Sequence, residues 1–442
     1  MQVDILNLEW SSRRDRDRDA ATLVCNYLRY QGLSIHEGSM FNSYFLINKL
    51  KPKILLMTNT TGATLNQNVA RYAKNKKIKV VSLISEGNIK ESDLDSFIWG
   101  HNREKISFED LNMLWSNKCY DVILKKFPQL KQSLKISGSV GHDKYLIEKP
   151  HKNNNKTKKI IGVGCWGFNF YLEDNTTKNL SSHVINFFLE QRSKFNTILS
   201  SIIKLNQDCL FIIKEHPANT LGYVGSGIES CVDFPNVKIY KYDRSIVSCI
   251  YESDLWISYD STTAMEAWLS NKQTCFLNPD KEEWPTPRDN IHTAQPIYGS
   301  LNELQCNIER IKKGEYIEGF LELKKKREEV IKEIITYNDG LNHVRAGNEI
   351  IKLFNSNSKL LPLDPSLKIP TLRDVFHQRF SWLKSNHFSF FNRSKLKKED
   401  RFFWKQEEVN DLSLYFHNLQ INLYKRLRLD KKKLLELECV VT

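Results

Sequence analysis

Nowhere does this 442-residue sequence run through the roughly 18 to 20 consecutive apolar positions that a membrane-spanning helix needs. Its opening, MQVDILNLEW, has neither the basic nor the apolar block of a secretory signal, so a cytoplasmic chain is expected. The nine cysteines form no C-x-x-C pair and no Cys/His cluster at metal-ligand spacing. Reduced, mostly buried thiols are therefore expected, with no metal site. No unit of about 20 to 50 residues repeats, which excludes a solenoid. A dinucleotide fingerprint is also missing, because GYVGSG at 222–227 has neither the right glycine order nor a strand before it.

What is present is globular: 40% hydrophobic and 26% charged residues. The length exceeds one ordinary core, and two α/β domains of up to about 200 residues plus an appendage follow. A net charge of +13 points to an anionic partner, be it nucleotide, acidic glycan, nucleic acid or lipid surface, without choosing among them.

Short β-rich runs alternate with helical periods. Residues 3–8, 53–58 and 79–84 read as strands, and 17–31 and 64–75 as helices, the pattern of a parallel sheet with crossover helices. The polar stretch EKPHKNNNKTKK at 148–159 interrupts it and reads as a linker. Alternation resumes with strands at 160–164, 209–214, 237–240, 255–259 and 274–277 and helices around 180–205 and from 262. The expected layout is residues 1–150 as an N-terminal Rossmann-like acceptor domain, 151–158 as a linker, 159–355 as a Rossmann-like nucleotide-sugar domain, and 356–442 as a basic, aromatic helical extension. Two such halves suit a substrate cleft between them.

The run CLFIIKEHP (209–217) is an apolar strand ending in Lys214, Glu215, His216 and Pro217, at the carboxyl edge where open α/β sheets bind ligands. About 40 residues on, SDLWISYDSTTAMEAWLSNK (253–272) reads as strand, hydroxyl-rich turn and helix. Backbone N–H groups at that helix start, with the hydroxyls of Ser261, Thr262 and Thr263, suit a phosphate or carboxylate. His216 can donate a charge-assisted hydrogen bond to the same anion. Thr263 and Glu266 also satisfy the S/T-x-x-E capping pattern, which explains both as helix-start residues without any ligand. In VGCWGF (163–168) the glycines, Gly164 among them, permit close backbone approach to a ligand beside Trp166, though a tight turn is the plainer reading.

KEHP followed by D-S-T-T-x-x-E-A resembles the C-terminal domain of GT-B enzymes that build bacterial surface carbohydrates, in particular the surface carbohydrate biosynthesis proteins. The Kdo and sialic-acid-type transferases that use CMP-activated sugars are more distant relatives. The resemblance implies an α/β GT-B fold, two Rossmann-like domains facing a central cleft, with a helical C-terminal extension. It makes His216, Ser261, Thr262 and Thr263 phosphate contacts and Glu266 the ribose ligand. Arg16 and Asp17, ahead of a helix closed by Gly32, match its Arg-acid pair, although Asp15 and Asp19 offer other registers. Glu86-Gly87 matches a recurrent Glu-Gly pair. Its G-x-P-R-x-D element survives weakly in SGSVGHDKYL (137–146), where Gly138 and Asp143 fit while Val140 and His142 replace the proline and arginine.

The implied activity is transfer of a sugar, best matched by a nonulosonic or Kdo-like sugar from a CMP donor, onto a growing bacterial surface polysaccharide. No cofactor is implied beyond the nucleotide-sugar substrate. The partners are that donor and a glycan or lipid-linked acceptor. Transfer needs a stabilised leaving nucleotide and, if it inverts, a base, for which Asp17 and Glu86 are candidates. A polyol-phosphate transferase using CDP-glycerol, a sugar-nucleotide 2-epimerase and a non-catalytic scaffold with the same fold remain alternatives. In the tail, aromatics from Phe376 to Trp404 interleave with Lys and Arg. That pattern suits an anionic inner-membrane surface, or packing against the protein's own domains. It carries no nucleic-acid-binding motif.

Overall fold

The computed structural model describes residues 2–11, 15–84, 86–89, 91, 94–148, 158–164, 168, 180–216, 226–241, 244–259, 261–285, 290–357, 369–387 and 404–439. The chain forms two compact units, one made of residues 1–148 with 332–442 and the other of 149–331. Residues 332–442, which include the expected 356–442 extension, group with the first unit.

In the first unit, β1 (Ile5–Asn7), β2 (Ile35–Glu37), β3 (Ile54–Met57), β4 (Lys79–Ser82), β5 (Leu111–Leu114) and β6 (Leu134–Ile136) form one sheet in the order β2-β1-β3-β4-β5-β6. Each adjacent pair is parallel. β3 is buried at every position, as a strand covered by helices on both faces must be. The helix α1 (Asp15–Tyr30) turns Ala21, Val24 and Leu28 into the core. It ends where Gly32 takes φ 104°, a left-handed conformation that costs a glycine little. Two further helices, α2 (Ser43–Leu50) and α3 (Thr64–Asn75), complete the layer around β3.

The late helices join this unit for identifiable reasons. Helix Asn342–Asn355 lies against α1 because Gly347 carries no side chain; a Cβ there would sit 2.3 Å from Tyr27 Cδ1. Asp143 Oδ2 accepts both the backbone N–H of His343 and a 2.7 Å bond from its Nδ1, while His343 Nε2 lies 2.7 Å from the Tyr424 hydroxyl. Tyr424 sits on helix Gln406–Leu427, whose Phe416 and Leu423 enter the same core and whose Gln420 donates to Leu23 O at 2.9 Å. Trp404 packs edge-on against Trp10 at 5.2 Å, with Arg18 over its ring. Helix Leu372–His387 docks through Gln378 and Arg379 on Ser43 and Asn42, leaving Leu372, Phe376 and Phe380 76%, 73% and 70% exposed. Phe388, Phe390, Phe391, Phe402 and Phe403 lie outside the described residues.

In the second unit, β7 (Ile160–Gly164), β8 (Leu210–Lys214), β9 (Val237–Tyr240), β10 (Leu255–Ser258), β11 (Gln273–Leu277) and β12 (Ile297–Tyr298) form a second six-stranded sheet, in the order β12-β11-β10-β7-β8-β9. All its pairs are parallel too. Read from β9, that is the 3-2-1-4-5-6 order of the Rossmann fold. Helix Ser182–Leu205, capped by the Ser181 hydroxyl on Val184 N, buries Phe188, Phe195 and Leu199. Among the described residues no helix is long and apolar enough to cross a membrane.

Candidate functional sites at two topological switch points

Open parallel sheets bind ligands where the strand order reverses, beyond the carboxyl ends of the strands. In the first sheet that point lies between β1 and β3. Glu9 follows β1 and Thr58 follows β3, and the Thr58 N–H donates to Glu9 Oε1 at 2.6 Å. Burial, reinforced by the negative charge of Asp17, pushes the Glu9 carboxyl up to about 7. It is therefore poised to exchange a proton near neutrality, as a general base must be. Sequence reasoning missed Glu9, although it occupies the strand-end position that drew attention to KEHP.

The expected first-domain residues gather beside it. Arg16 Nη2 lies 2.9 Å from Glu86 Oε1, and Arg16 Nε lies 3.5 Å from Asp17 Oδ1. Arg16 thus bridges the starts of two loops, but its side chain and that of Glu86 are 47% and 68% exposed, so water screens the pair. Asp19, the alternative register, is buried and held by Arg18 at 2.6 Å and Lys144 at 3.3 Å, which makes it part of the packing. The side chain of Asp15 lies outside the described set.

The weakened 137–146 element is structural. Gly138, expected in a cleft loop, is buried at φ 81°, and a Cβ there would sit 2.1 Å from Asn342 Oδ1; its missing side chain makes room for helix Asn342–Asn355. Asp143 is spent on His343 and its carboxyl is pushed up by burial. His142 is buried beside Ser139, with Nδ1 2.7 Å from its hydroxyl, and burial together with the Lys144 and Arg16 charges pushes it down to about 3.

In the second sheet the order reverses between β7 and β10. Gly164 ends β7, and a Cβ there would lie 2.5 Å from Thr263 Oγ1 and 2.9 Å from Trp256 Nε1. Thr263 Oγ1 accepts from Trp256 Nε1 at 3.0 Å and pairs with Ser261 Oγ at 3.0 Å. Ser261 Oγ in turn accepts the Thr263 N–H at 3.3 Å. Helix Thr263–Leu269 therefore starts one residue earlier than the capping pattern requires: Thr262 is its N-cap, without a side-chain cap bond, and Glu266 lies within the first turn. Gly164, Ser261, Thr263 and Glu266 are thus brought to one switch point.

At the end of β8, Lys214 donates to the carbonyl oxygens of Lys241 and Arg244, the latter at 2.8 Å, and so ties down the loop after β9. Glu215 is buried, its N–H on Tyr240 O at 2.9 Å, and His216 is half-buried at the strand exit. Pro217 and Trp166 lie outside the described residues. Among the described residues no group of three or more His, Cys, Asp or Glu side chains could hold a metal ion.

No protein-family model and no curated protein matches the sequence. Solved structures do match. One from Listeria monocytogenes, described provisionally as a UDP-N-acetylglucosamine 2-epimerase, aligns with a TM-score of 0.50 at 12% identity, covering 82% of this chain and 100% of that one. A second UDP-N-acetylglucosamine 2-epimerase aligns with a TM-score of 0.50 at 12% identity, over 80% of this chain and 97% of its own. The fold is of the GT-B type. Two parallel six-stranded sheets and a helical C-terminal region agree with that architecture.

Proposed function

We propose that this protein is a nucleotide-sugar-dependent glycosyltransferase acting on a bacterial surface polysaccharide. The observation that carries the reading is Glu9, a carboxyl pushed up to about 7 at the switch point of the first sheet. In the proposed reaction Glu9 takes the proton of an acceptor hydroxyl while that oxygen bonds to the anomeric carbon. The bond from that carbon to the nucleotide phosphate breaks, and the phosphate leaves with the electron pair. In this reading Asp17 and Glu86, the base candidates offered by the sequence, serve as charge partners of Arg16. In the second unit His216 and the hydroxyl-rich start of helix Thr263–Leu269 receive the phosphate, and Glu266 holds the ribose. Donors stabilised this way need preorganised dipoles aimed at the leaving charge.

The motif resemblance favours a CMP donor, whereas the names of the structural neighbours favour UDP. Thermal denaturation with CMP, CDP and UDP separates them, since a ligand that binds only the folded chain raises the midpoint. His216→Ala and Glu266→Gln should each lower transfer by about 10² to 10³. Wild-type turnover in both variants would refute the nucleotide site.

The neighbours' names favour one second reading, a sugar-nucleotide 2-epimerase. An epimerase converts UDP-N-acetylglucosamine with no acceptor present; a glycosyltransferase does not. We further propose that helix Leu372–His387 rests on an anionic membrane surface. Its exposed Leu372, Phe376 and Phe380 recur every fourth residue on a chain of net charge +13.

A further inference from the structure

A pocket of about 50 Å³ opens at the carboxyl ends of β3 and β4 in the first unit, beside Asn112 of β5. Its polar lining includes Thr58, Thr61, Ser82, Glu86, Glu109 and Asn112. At about 10 to 15 Å³ per water position, that space accepts three to five waters, or the hydroxyl-bearing end of one sugar ring.

Two of the lining side chains are incomplete as they stand. Thr61 and Asn112 are 7% and 9% exposed, and among the described residues neither the Thr61 hydroxyl nor the Asn112 amide hydrogen-bonds within the protein, whereas the Thr58 side chain bonds to Glu9. Polar groups so enclosed need a partner. Glu109, by contrast, is fixed: it accepts from the Thr60 hydroxyl, from Ser107 Oγ at 2.8 Å and from Phe108 N at 3.0 Å. Trp99, Phe97 and Leu130 supply apolar wall.

Charge narrows the ligand. Among the described lining residues the ionisable ones are Glu86 and Glu109, with no Lys, Arg or His, and Arg16 pairs with the exposed Glu86 but does not line the pocket. A phosphate or a sugar carboxylate would meet like charge in a partly desolvated space. Neutral hydroxyls can donate to the carboxylates and accept from the Asn112 amide. Thr58 ties the pocket to the proposed base, because its side chain lines the pocket while its N–H holds Glu9.

We infer that this pocket takes an uncharged polyhydroxylated group, the terminal neutral sugar of the acceptor, and so selects against acidic termini. Its role as acceptor subsite rests on the glycosyltransferase reading; its preference for neutral sugars does not. The test is saturation-transfer NMR on the full chain with galactose, N-acetylglucosamine and glucuronate, using wild type, Asn112→Leu and the near-isosteric Thr61→Val. Thermal midpoints confirm that each variant folds. The neutral sugars should give a signal that weakens tenfold or more in Asn112→Leu and severalfold in Thr61→Val, and glucuronate should bind at least tenfold more weakly than either. Glucuronate binding as well as galactose, or neutral-sugar binding unchanged in both variants, overturns the inference. So does a nucleotide-induced rise in midpoint without any sugar signal. Sugar binding with no response to CMP, CDP or UDP leaves the pocket standing and refutes the glycosyltransferase reading instead.

Discussion

Glu9→Gln isolates the proposed base because it preserves shape and the acceptor for the Thr58 N–H while removing the titration. In the wild type, the folded protein keeps a proton on Glu9 that the unfolded chain releases between 4.5 and about 7. Stability therefore falls as pH rises through that window and stays level above it. At about 1.4 kcal/mol per pH unit the window amounts to about 3 kcal/mol, and partial exposure to water reduces that to about 2. His142 works in the opposite direction: pushed down to about 3, it withdraws stability as pH falls below 6.5. The raw pH profile thus mixes these slopes with those of other shifted groups such as Asp143, and the difference between variant and wild type isolates Glu9. Hydrogen-exchange mass spectrometry on β1 and α1 peptides at pH 5, 6, 7 and 8 reads the first unit alone. Glu9→Gln should gain about 2 kcal/mol on wild type between pH 5 and 8, and should abolish transfer whose kcat/KM rises through about pH 7 in the wild type. Parallel stability profiles would refute the raised carboxyl, and retained transfer would refute the base.

Gly138→Ala should destabilise the first unit by more than about 2 kcal/mol in urea unfolding, because the position combines φ 81° with a 2.1 Å clash against Asn342. Tyr424→Phe should cost about 1 to 2 kcal/mol by removing the buried hydroxyl from His343; an unchanged midpoint would contradict it. His142→Leu should flatten the loss of stability below pH 6.5 seen by the same exchange measurement. Leu372→Ser, Phe376→Ser and Phe380→Ser combined should abolish co-sedimentation with phosphatidylglycerol vesicles at low salt, and equal binding by wild type and variant would remove the membrane contact. A truncation after residue 358 cannot serve, because it deletes Phe416, Leu423 and Tyr424 from the core.

The architecture was readable wherever periodicity was strong. The apolar runs that became β1, β3, β4, β7, β8, β9, β10 and β11 stand out, as do the helices between them. Strands as short as Ile35–Glu37 and Ile297–Tyr298 carry too few residues for a period of two to register. The tail misled for a different reason. An aromatic that enters a core and one that meets a membrane look alike in sequence, and only the pairing of Tyr424 with His343 separates Tyr424 from exposed Phe376. At the site, motif resemblance found residues at the second switch point and the Arg16, Asp17 and Glu86 group. No motif marks Glu9 or Asn112: Glu9 is singled out by its contact with Thr58, at a strand end far away in sequence, and Asn112 by the pocket it lines.

The division of the first unit into residues 1–148 and 332–442 sets an order of events during synthesis. By the time residue 331 has cleared the ribosome, the second unit has its whole sheet and can close its core, since domains fold as units as they emerge. The first unit has its six strands by then but lacks the helices that cover α1. Ala21, Val24 and Leu28 belong to a core completed by Val344, Ile350, Phe416 and Leu423. That apolar surface waits, at about 5 to 20 residues per second, for roughly the last quarter of the chain. The younger unit thus matures first, and the older one is sealed only once Phe416, Leu423 and Leu434 have emerged.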